Sequence, residues 1–210
     1  MDFAISYAIT VCNEHQEVTE LLAFVAQRKR PQDEIVVQFD DLTVTPEVLE
    51  VLEAFKAQIA TAVGHPLNND FSSFKNNLKA NCNGDYIFQI DADELPAEET
   101  VSNLHLILGA NPEIDLFLVP RVNTVQNFTK AHVKKWGWRL NEKEWINWPD
   151  YQSRICKNLF QIKWQNKVHE QLVGHSTMAQ FPAEEKFALL HHKDIKKQEK
   201  QNNYYETLTP

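Results

Sequence analysis

No apolar stretch in this chain approaches the roughly 20 residues needed to span a bilayer, so a transmembrane segment is not expected. The N-terminus lacks the order of a signal peptide, because Met1-Asp2-Phe3 leads straight into a strand-like run. Cys12, Cys82 and Cys156 are far apart, odd in number and without a CxxC pair. A reducing, cytoplasmic setting with small core thiols is therefore expected. Internal repeats and low-complexity linkers are also missing. Positive charge is short: 21 Lys and Arg against 29 Asp and Glu give a formal net charge of −8, which argues against nucleic acid as a partner. What remains is ordinary for a globular protein, 43% apolar and 24% charged over 210 residues. That is enough chain for one domain with a real core.

Hydrophobic periodicity then orders the chain. Ile5 to Val11 is an apolar run of β-formers stopped by Cys12-Asn13-Glu14, and Glu34 to Phe39 is a second strand ending at Asp40-Asp41. Between them Val18, Leu21, Leu22, Phe24 and Val25 repeat at helical spacing up to Arg28-Lys29-Arg30. Thr45-Pro46 opens another helix, with Val48, Leu49, Leu52, Phe55 and Ile59 as its expected buried stripe. Ala60 to Val63 reads as a short strand and Phe71 to Ala80 as a helix. Asp85 to Ile90 is a strand delivering Asp91-Ala92-Asp93-Glu94, followed by a helix from Pro96 to about Leu108 and a strand from Ile114 to Pro120. This alternation predicts a mostly parallel α/β sheet flanked by helices. Ligands of such sheets bind beyond the carboxyl ends of the strands. After residue 120 four tryptophans crowd between Trp136 and Trp148. Short antiparallel strands (Ser153 to Lys157, Ile162 to Trp164), a last strand Phe187 to His192 and a Lys- and Gln-rich helix from Asp194 to Tyr205 complete the chain.

Several side chains fall where chemistry is possible. Asp91 and Asp93, one residue apart at a strand end, can present oxygen ligands to one hard cation. Such a cation neutralises charge on a diphosphate leaving group. Asp40 can accept hydrogen bonds from a nucleobase or ribose, or simply organise the turn before Thr45. Lys75 can reach phosphate, or be a solvated helix lysine. Glu170 can act as a general base, and His191 or His192 can add an imidazole to a metal, though neighbours in a strand face opposite ways. Trp136, Trp138 and Trp148 suit a sugar-stacking surface as well as a core. The lysines of Lys193–Lys200 read as a solvated helix face, with phosphate or an anionic membrane surface as the alternative.

Together these segments resemble family 2 glycosyltransferases of the GT-A fold, from Ile5 to about Tyr205. Ala8-Ile9-Thr10-Val11-Cys12-Asn13-Glu14 is similar to that family's first strand and its TxxNE loop. Gly84-Asp85-Tyr86-Ile87-Phe88-Gln89-Ile90-Asp91-Ala92-Asp93-Glu94 is similar to its GDYIxxxDADE signature. Trp148-Pro149-Asp150-Tyr151-Gln152-Ser153-Arg154 with Val168-His169-Glu170 resembles the PDxxxR…VHE pattern of short bacterial and viral members that build lipopolysaccharide or capsule glycans.

The resemblance implies a UDP- or GDP-sugar donor held by Thr10, Val11, Asn13, Glu14, Asp40, Lys75, Asp91, Ala92 and Asp93. It implies Mn2+ or Mg2+ on Asp91, Asp93 and His191, and inversion at the anomeric carbon. By order along the chain Glu170 takes the place of the base, with Asp150 as competitor. Trp136, Trp138, Trp148 and His169 are the expected contacts to a glycan or glycolipid acceptor. Residues 1–120 would form the nucleotide-sugar half of a single GT-A domain, and 121–210 the acceptor half with its C-terminal helix. The second strand departs from the family's DDGSTD, with Asp40-Asp41-Leu42-Thr43-Val44-Thr45 instead, and the usual ED pair is missing. The rival functions are a nucleotidyltransferase on the same cradle and a non-catalytic carbohydrate-binding domain.

Overall fold

The computed structural model describes residues 3–208, with side chains through Tyr204. The first half alternates β1 (Ile5–Val11), α1 (His15–Arg28), β2 (Glu34–Phe39), α2 (Pro46–Ala54), β3 (Thr61–Gly64), α3 (Phe71–Ala80) and β4 (Tyr86–Asp91). Then follow β5 (Leu95–Pro96), α4 (Glu98–Ala110), β6 (Leu116–Val119), β7 (Arg121–Gln126) and α5 (Lys130–Trp136). The last part holds β8 (Gln152–Lys157), β9 (Lys163–Gln165), β10 (Gln171–Val173), β11 (Met178–Gln180), β12 (Leu189–Asp194) and α6 (Ile195–Leu208). Seven strands form one mostly parallel sheet in the order β11-β6-β8-β4-β1-β2-β3. Only β8 runs against its neighbours, pairing antiparallel with both β4 and β6. A smaller sheet, β5-β12-β7, sits at the ligand side, and β9 and β10 pair as a ribbon.

Alternation along the central strands sorts side chains to two faces. Ile5, Tyr7, Ile9, Ile35, Val37 and Phe88 join one core cluster with Val18, Leu21 and Leu22 of α1, Val48 and Leu52 of α2, and Leu104 and Leu108 of α4. Ala8, Val36 and Ile87 turn the other way, against Leu78 of α3 and Trp164 and Leu172 of the ribbon. Each fully buried aliphatic side chain contributes about 1.5–3 kcal/mol, which fixes the register of every strand. Two expectations for α2 fail: Leu49 is exposed, and Phe55 and Ile59 lie beyond the helix end at Ala54, though both still pack on the core.

Residues after 120 do not form a separate layer. β8 and β11 enter the central sheet itself. β7, α5, β10 and β11 have no counterpart in the sequence reading. β7 carries only Val122 and Val125 as buried residues, and α5 buries none, so neither shows a clear apolar stripe. Boundary signals for α5 are nevertheless present: Thr129 and His132 form a capping box, and Gly137 ends the helix in a left-handed conformation.

Candidate active site

Parallel pairing of β1, β2 and β4 ends three strands at one edge, with Thr10 opposite Asp91 and Val11 opposite Phe39. Beyond that edge lie two chambers. The smaller, about 210 Å3, is bordered by Thr10, Val11, Glu14, Asp40, Phe71 and Phe74. The larger, about 750 Å3, is bordered by Asn123, Trp138, Asp150, Trp164, His169 and His191. Both share Lys75, Asp91, Asp93, Glu170 and Gln201. The Asp-Ala-Asp motif is therefore the seam between a compact chamber and a roomy one.

In the smaller chamber Asp40 is buried and already bound: Oδ1 accepts from the backbone N–H groups of Leu42 and Leu67, and Oδ2 from the Thr43 hydroxyl at 2.6 Å. It organises the turn and can still face a ligand with Oδ2. Glu14 accepts the N–H groups of Cys12 and Asn13. Asn13 itself is exposed and does not border either chamber. Cys82 and Cys156 are buried core thiols, and burial pushes both up to about 12. Cys12 instead borders the small chamber.

At the seam, Asp91 uses both oxygens. Oδ1 accepts from the Thr10 hydroxyl at 2.9 Å, and Oδ2 binds Arg154 at 2.7 Å. Burial raises its carboxyl, but the Arg154 and Lys75 charges reverse this and hold it well below the usual range. Arg154 also binds Glu94 at 2.6 Å. Arg121 joins Glu94 at 2.9 Å to Asp150 at 2.7 Å. A chain of alternating charges thus runs from the Asp-Ala-Asp motif to Asp150. Glu94 and Arg154 are almost wholly buried, and sequence reasoning gave roles to neither, nor to Arg121. Glu94 ends the DADE of the signature and Arg154 the PDxxxR pattern, and an Arg on a strand demands a carboxylate partner; for Arg121 that last signal stands alone.

Asp93 faces a different set. Its Oδ2 lies 3.4 Å from His191 Nε2, 3.5 Å from Lys197 Nζ and 3.6 Å from Lys193 Nζ. Burial pushes its carboxyl up, and His191, Lys193 and Lys197 together pull it well below normal. β12 delivers these groups by alternation: His191 and Lys193 point inward, while His192 is exposed and meets Thr124. Lys193 and Lys197 do not belong to a solvated helix face.

His191 has a defined tautomer. Asn123 Nδ2 donates to Asp150 Oδ2 at 2.8 Å, so Asn123 Oδ1 accepts from His191 Nδ1–H at 2.7 Å. Burial lowers the imidazole's pKa and the Asp93 carboxylate opposes that shift: a protonated Nε2 answers Asp93 as a donor, and deprotonation turns its lone pair toward the same carboxylate. Two acceptors facing one another, with an outer-shell amide fixing the imidazole, suit a cation between them. Asp93 and His191 thus fit a divalent ion as two donors. Asp91 is engaged by Thr10 and Arg154, and among the described residues no three-donor cluster is assembled.

The base candidates are both ion-paired. Glu170 Oε1 binds Lys75 at 2.5 Å, and Lys75 is buried over the Trp164 ring. Asp150 receives Arg121 and Asn123 on Oδ2 and the Gln152 amide on Oδ1 at 3.0 Å. Among the expected acceptor contacts, Trp138 and His169 border the larger chamber. Trp136 and Trp148 do not: Trp136 stacks on His132, and Trp148 packs edge-on to Trp145.

Comparison with known proteins agrees with this geometry. No curated protein matches the chain. Among solved structures, TarS residues 1–349 from S. aureus superpose with a TM-score of 0.62 at 13% identity, over 91% of this chain and 60% of that one. The same TarS fragment in complex with UDP gives 0.64 at 12% identity, over 90% and 60%. Its complex with UDP-GlcNAc gives 0.65 at 13%, over 92% and 59%. The chain therefore spans about 60% of those structures and shares their fold. No described helix is long and apolar enough to cross a membrane. The profile described as "Glycosyl transferase family 2" matches residues 6–181, most of the chain, and the chain belongs to that family.

Proposed function

We propose that the chain transfers a sugar from a nucleoside-diphosphate sugar to a hydroxyl of a glycan or glycolipid acceptor, with inversion at the anomeric carbon. One observation carries this reading: two chambers of unequal size meet at Lys75, Asp91 and Asp93. The nucleoside occupies the small chamber, with its base near Asp40, Phe71 and Phe74. The diphosphate lies at the seam, and the sugar and acceptor share the large chamber. UDP-GlcNAc bound to the TarS fragment supports a donor of this kind.

Deprotonation of the acceptor must occur on the face opposite the leaving group, as in an inverting glycosidase with a sugar hydroxyl in place of water. Glu170 borders the seam and is tied to Lys75, on the leaving-group side. Asp150 borders only the large chamber. We therefore assign the base to Asp150 and give the Glu170–Lys75 pair to the donor's phosphates. Trp138 and Trp164 border the same chamber and give it apolar wall for the sugars' C–H groups. A divalent ion, when bound, would rest on Asp93 and His191 and supply positive charge to the departing diphosphate. The chain's own Lys75 and Arg154 add fixed charge beside it, and preorganised electrostatics of this sort carry much of the rate enhancement in such sites. Residues 1–120 hold the nucleoside, and 121–210 supply the acceptor side together with Arg154, Glu170 and His191 at the seam.

The test is a screen of UDP- and GDP-sugars by thermal shift, with and without Mn2+, followed by product analysis. A bound donor raises the melting temperature. Transfer releases nucleoside diphosphate, and NMR of the product shows an inverted anomeric configuration. Pyrophosphate release would instead identify a nucleotidyltransferase, and glycan binding without nucleotide affinity a non-catalytic domain.

A further inference from the structure

Lys193 is an ammonium group with an unusual address. It stands on β12, its side chain is 5% exposed, and it borders the larger chamber. Gln201, which borders both chambers, accepts its hydrogen bond at 2.6 Å. The nearest carboxylate oxygen, Asp93 Oδ2, is 3.6 Å away, too far for a hydrogen bond. An ammonium carries three donors, and a buried one left short of acceptors is costly. Asp93 meanwhile divides one carboxylate among Lys193, Lys197 and His191. Lys197 has a second counter-charge in Glu17, at 3.2 Å. Of the two lysines, Lys193 is the one with donors to spare at the seam.

Resting on the donor reading above, we propose that Lys193 is a diphosphate ligand that exchanges Asp93 for the donor's phosphate oxygens. Two consequences follow. Nucleoside diphosphate binds the chain without a divalent cation, because an ammonium already waits for it. In the free chain Lys193 and Lys197 compete with any ion for Asp93. Nucleotide draws Lys193 away, so nucleotide strengthens ion binding, and by linkage the ion strengthens nucleotide binding by the same factor.

Calorimetric titration of the full chain with UDP and GDP in EDTA tests this, with uridine and guanosine as phosphate-free controls. UDP or GDP binds in EDTA, and Lys193→Met weakens that binding by about tenfold or more, the loss of one charge-assisted hydrogen bond. Nucleoside binding is unchanged, and Lys193→Arg keeps the nucleotide affinity. Mn2+ titration followed by electron paramagnetic resonance reads the other consequence: in nucleotide-free Lys193→Met protein the affinity for Mn2+ rises. A merely structural lysine would not move the two affinities in opposite directions. If Lys193→Met does not fold, Asp93→Asn decides, because Lys193 no longer has a carboxylate to leave and metal-free nucleotide affinity rises above the parent's; an unchanged or lower affinity there overturns the proposal. Nucleotide binding that requires Mn2+, or a Lys193→Met variant with both affinities unchanged, also overturns it. If neither nucleotide binds with or without Mn2+, the donor reading falls as well.

Discussion

Asp150 and Glu170 are both carboxylates on the wall of one chamber, yet their partners divide their work. Asp150 keeps Oδ1 with a single amide donor while Arg121 and Asn123 hold Oδ2. That arrangement orients the group and leaves an oxygen lone pair for an acceptor hydroxyl. Asp150→Asn keeps the size and removes the base, so kcat should fall by about 10²–10⁴-fold with nucleotide-sugar affinity retained in a calorimetric titration. Glu170→Gln releases Lys75 from its partner and should change donor affinity more than turnover. A large kcat loss in Glu170→Gln with Asp150→Asn near parental activity would reverse the two roles. At this scale the sequence reached the carboxylates and Lys75 through their motif positions. The pairings of Arg121, Glu94, Lys193 and Lys197 escaped it, although Glu94 ends the signature and phosphate stood as the alternative for the lysines. Their roles depend on pairing across 27 to 104 positions of chain, for example Arg121 with Glu94 and Lys197 with Asp93, and periodicity carries no such information.

Among the elements, β4 was legible because its apolar run must lie between β1 and β8, and Gly84 explains how it gets there. A Cβ on Gly84 would sit 2.6 Å from the Ser6 backbone nitrogen, so the chain enters β4 only where no side chain intervenes. Gly84→Ala should cost about 1–3 kcal/mol through overpacking, read as a lower urea midpoint with an unchanged m-value. β12 was placed within two residues of its observed start, and its alternation rightly limited the inward histidines to one. α6 was harder. Its lysines look like a solvent face because Lys196 and Lys200 are one, and only the three-dimensional course of β12 turns Lys197 toward Asp93. Among the described residues of α6 only Ile195 is buried, so the helix contributes more to the site than to the core. Truncation after Ile195 should lower the melting temperature by no more than about 4 °C, the equivalent of roughly 1 kcal/mol in a chain this size. It should weaken nucleotide binding clearly, since Lys197 and Gln201 are lost. A collapse of the fold would refute that division.

Across the whole molecule, the parallel sheet supplies the edge and the buried charges decide what the edge can hold. The chain Asp91–Arg154–Glu94–Arg121–Asp150 links the seam to the proposed base through Arg154 and Glu94, the two groups taken out of water, so the partly exposed carboxylates at its ends depend on their guanidiniums. Arg154 meets two carboxylates and is 4% exposed. Arg154→Met leaves Asp91 without its guanidinium and Glu94 with Arg121 alone, and breaking a buried pair from one side costs about 3–5 kcal/mol. The pH dependence should separate this from a simple packing defect. In the parent the Asp91 carboxyl is burdened by burial but held low by Arg154 and Lys75. The unfolded chain therefore binds more protons than the folded one below the ordinary aspartate value of about 4. This contribution is complete above that value and is lost as the pH falls through the depressed folded value. Without Arg154 the burial remains and its main compensation is gone, so protonating Asp91 now relieves the folded state. Denaturation in urea at pH 7 and pH 5 should show the deficit of Arg154→Met relative to the parent shrinking at the lower pH. A deficit equal at both values would mean that the loss is one of packing volume, and that Arg154 is not the counter-charge that keeps Asp91 ionised at the seam.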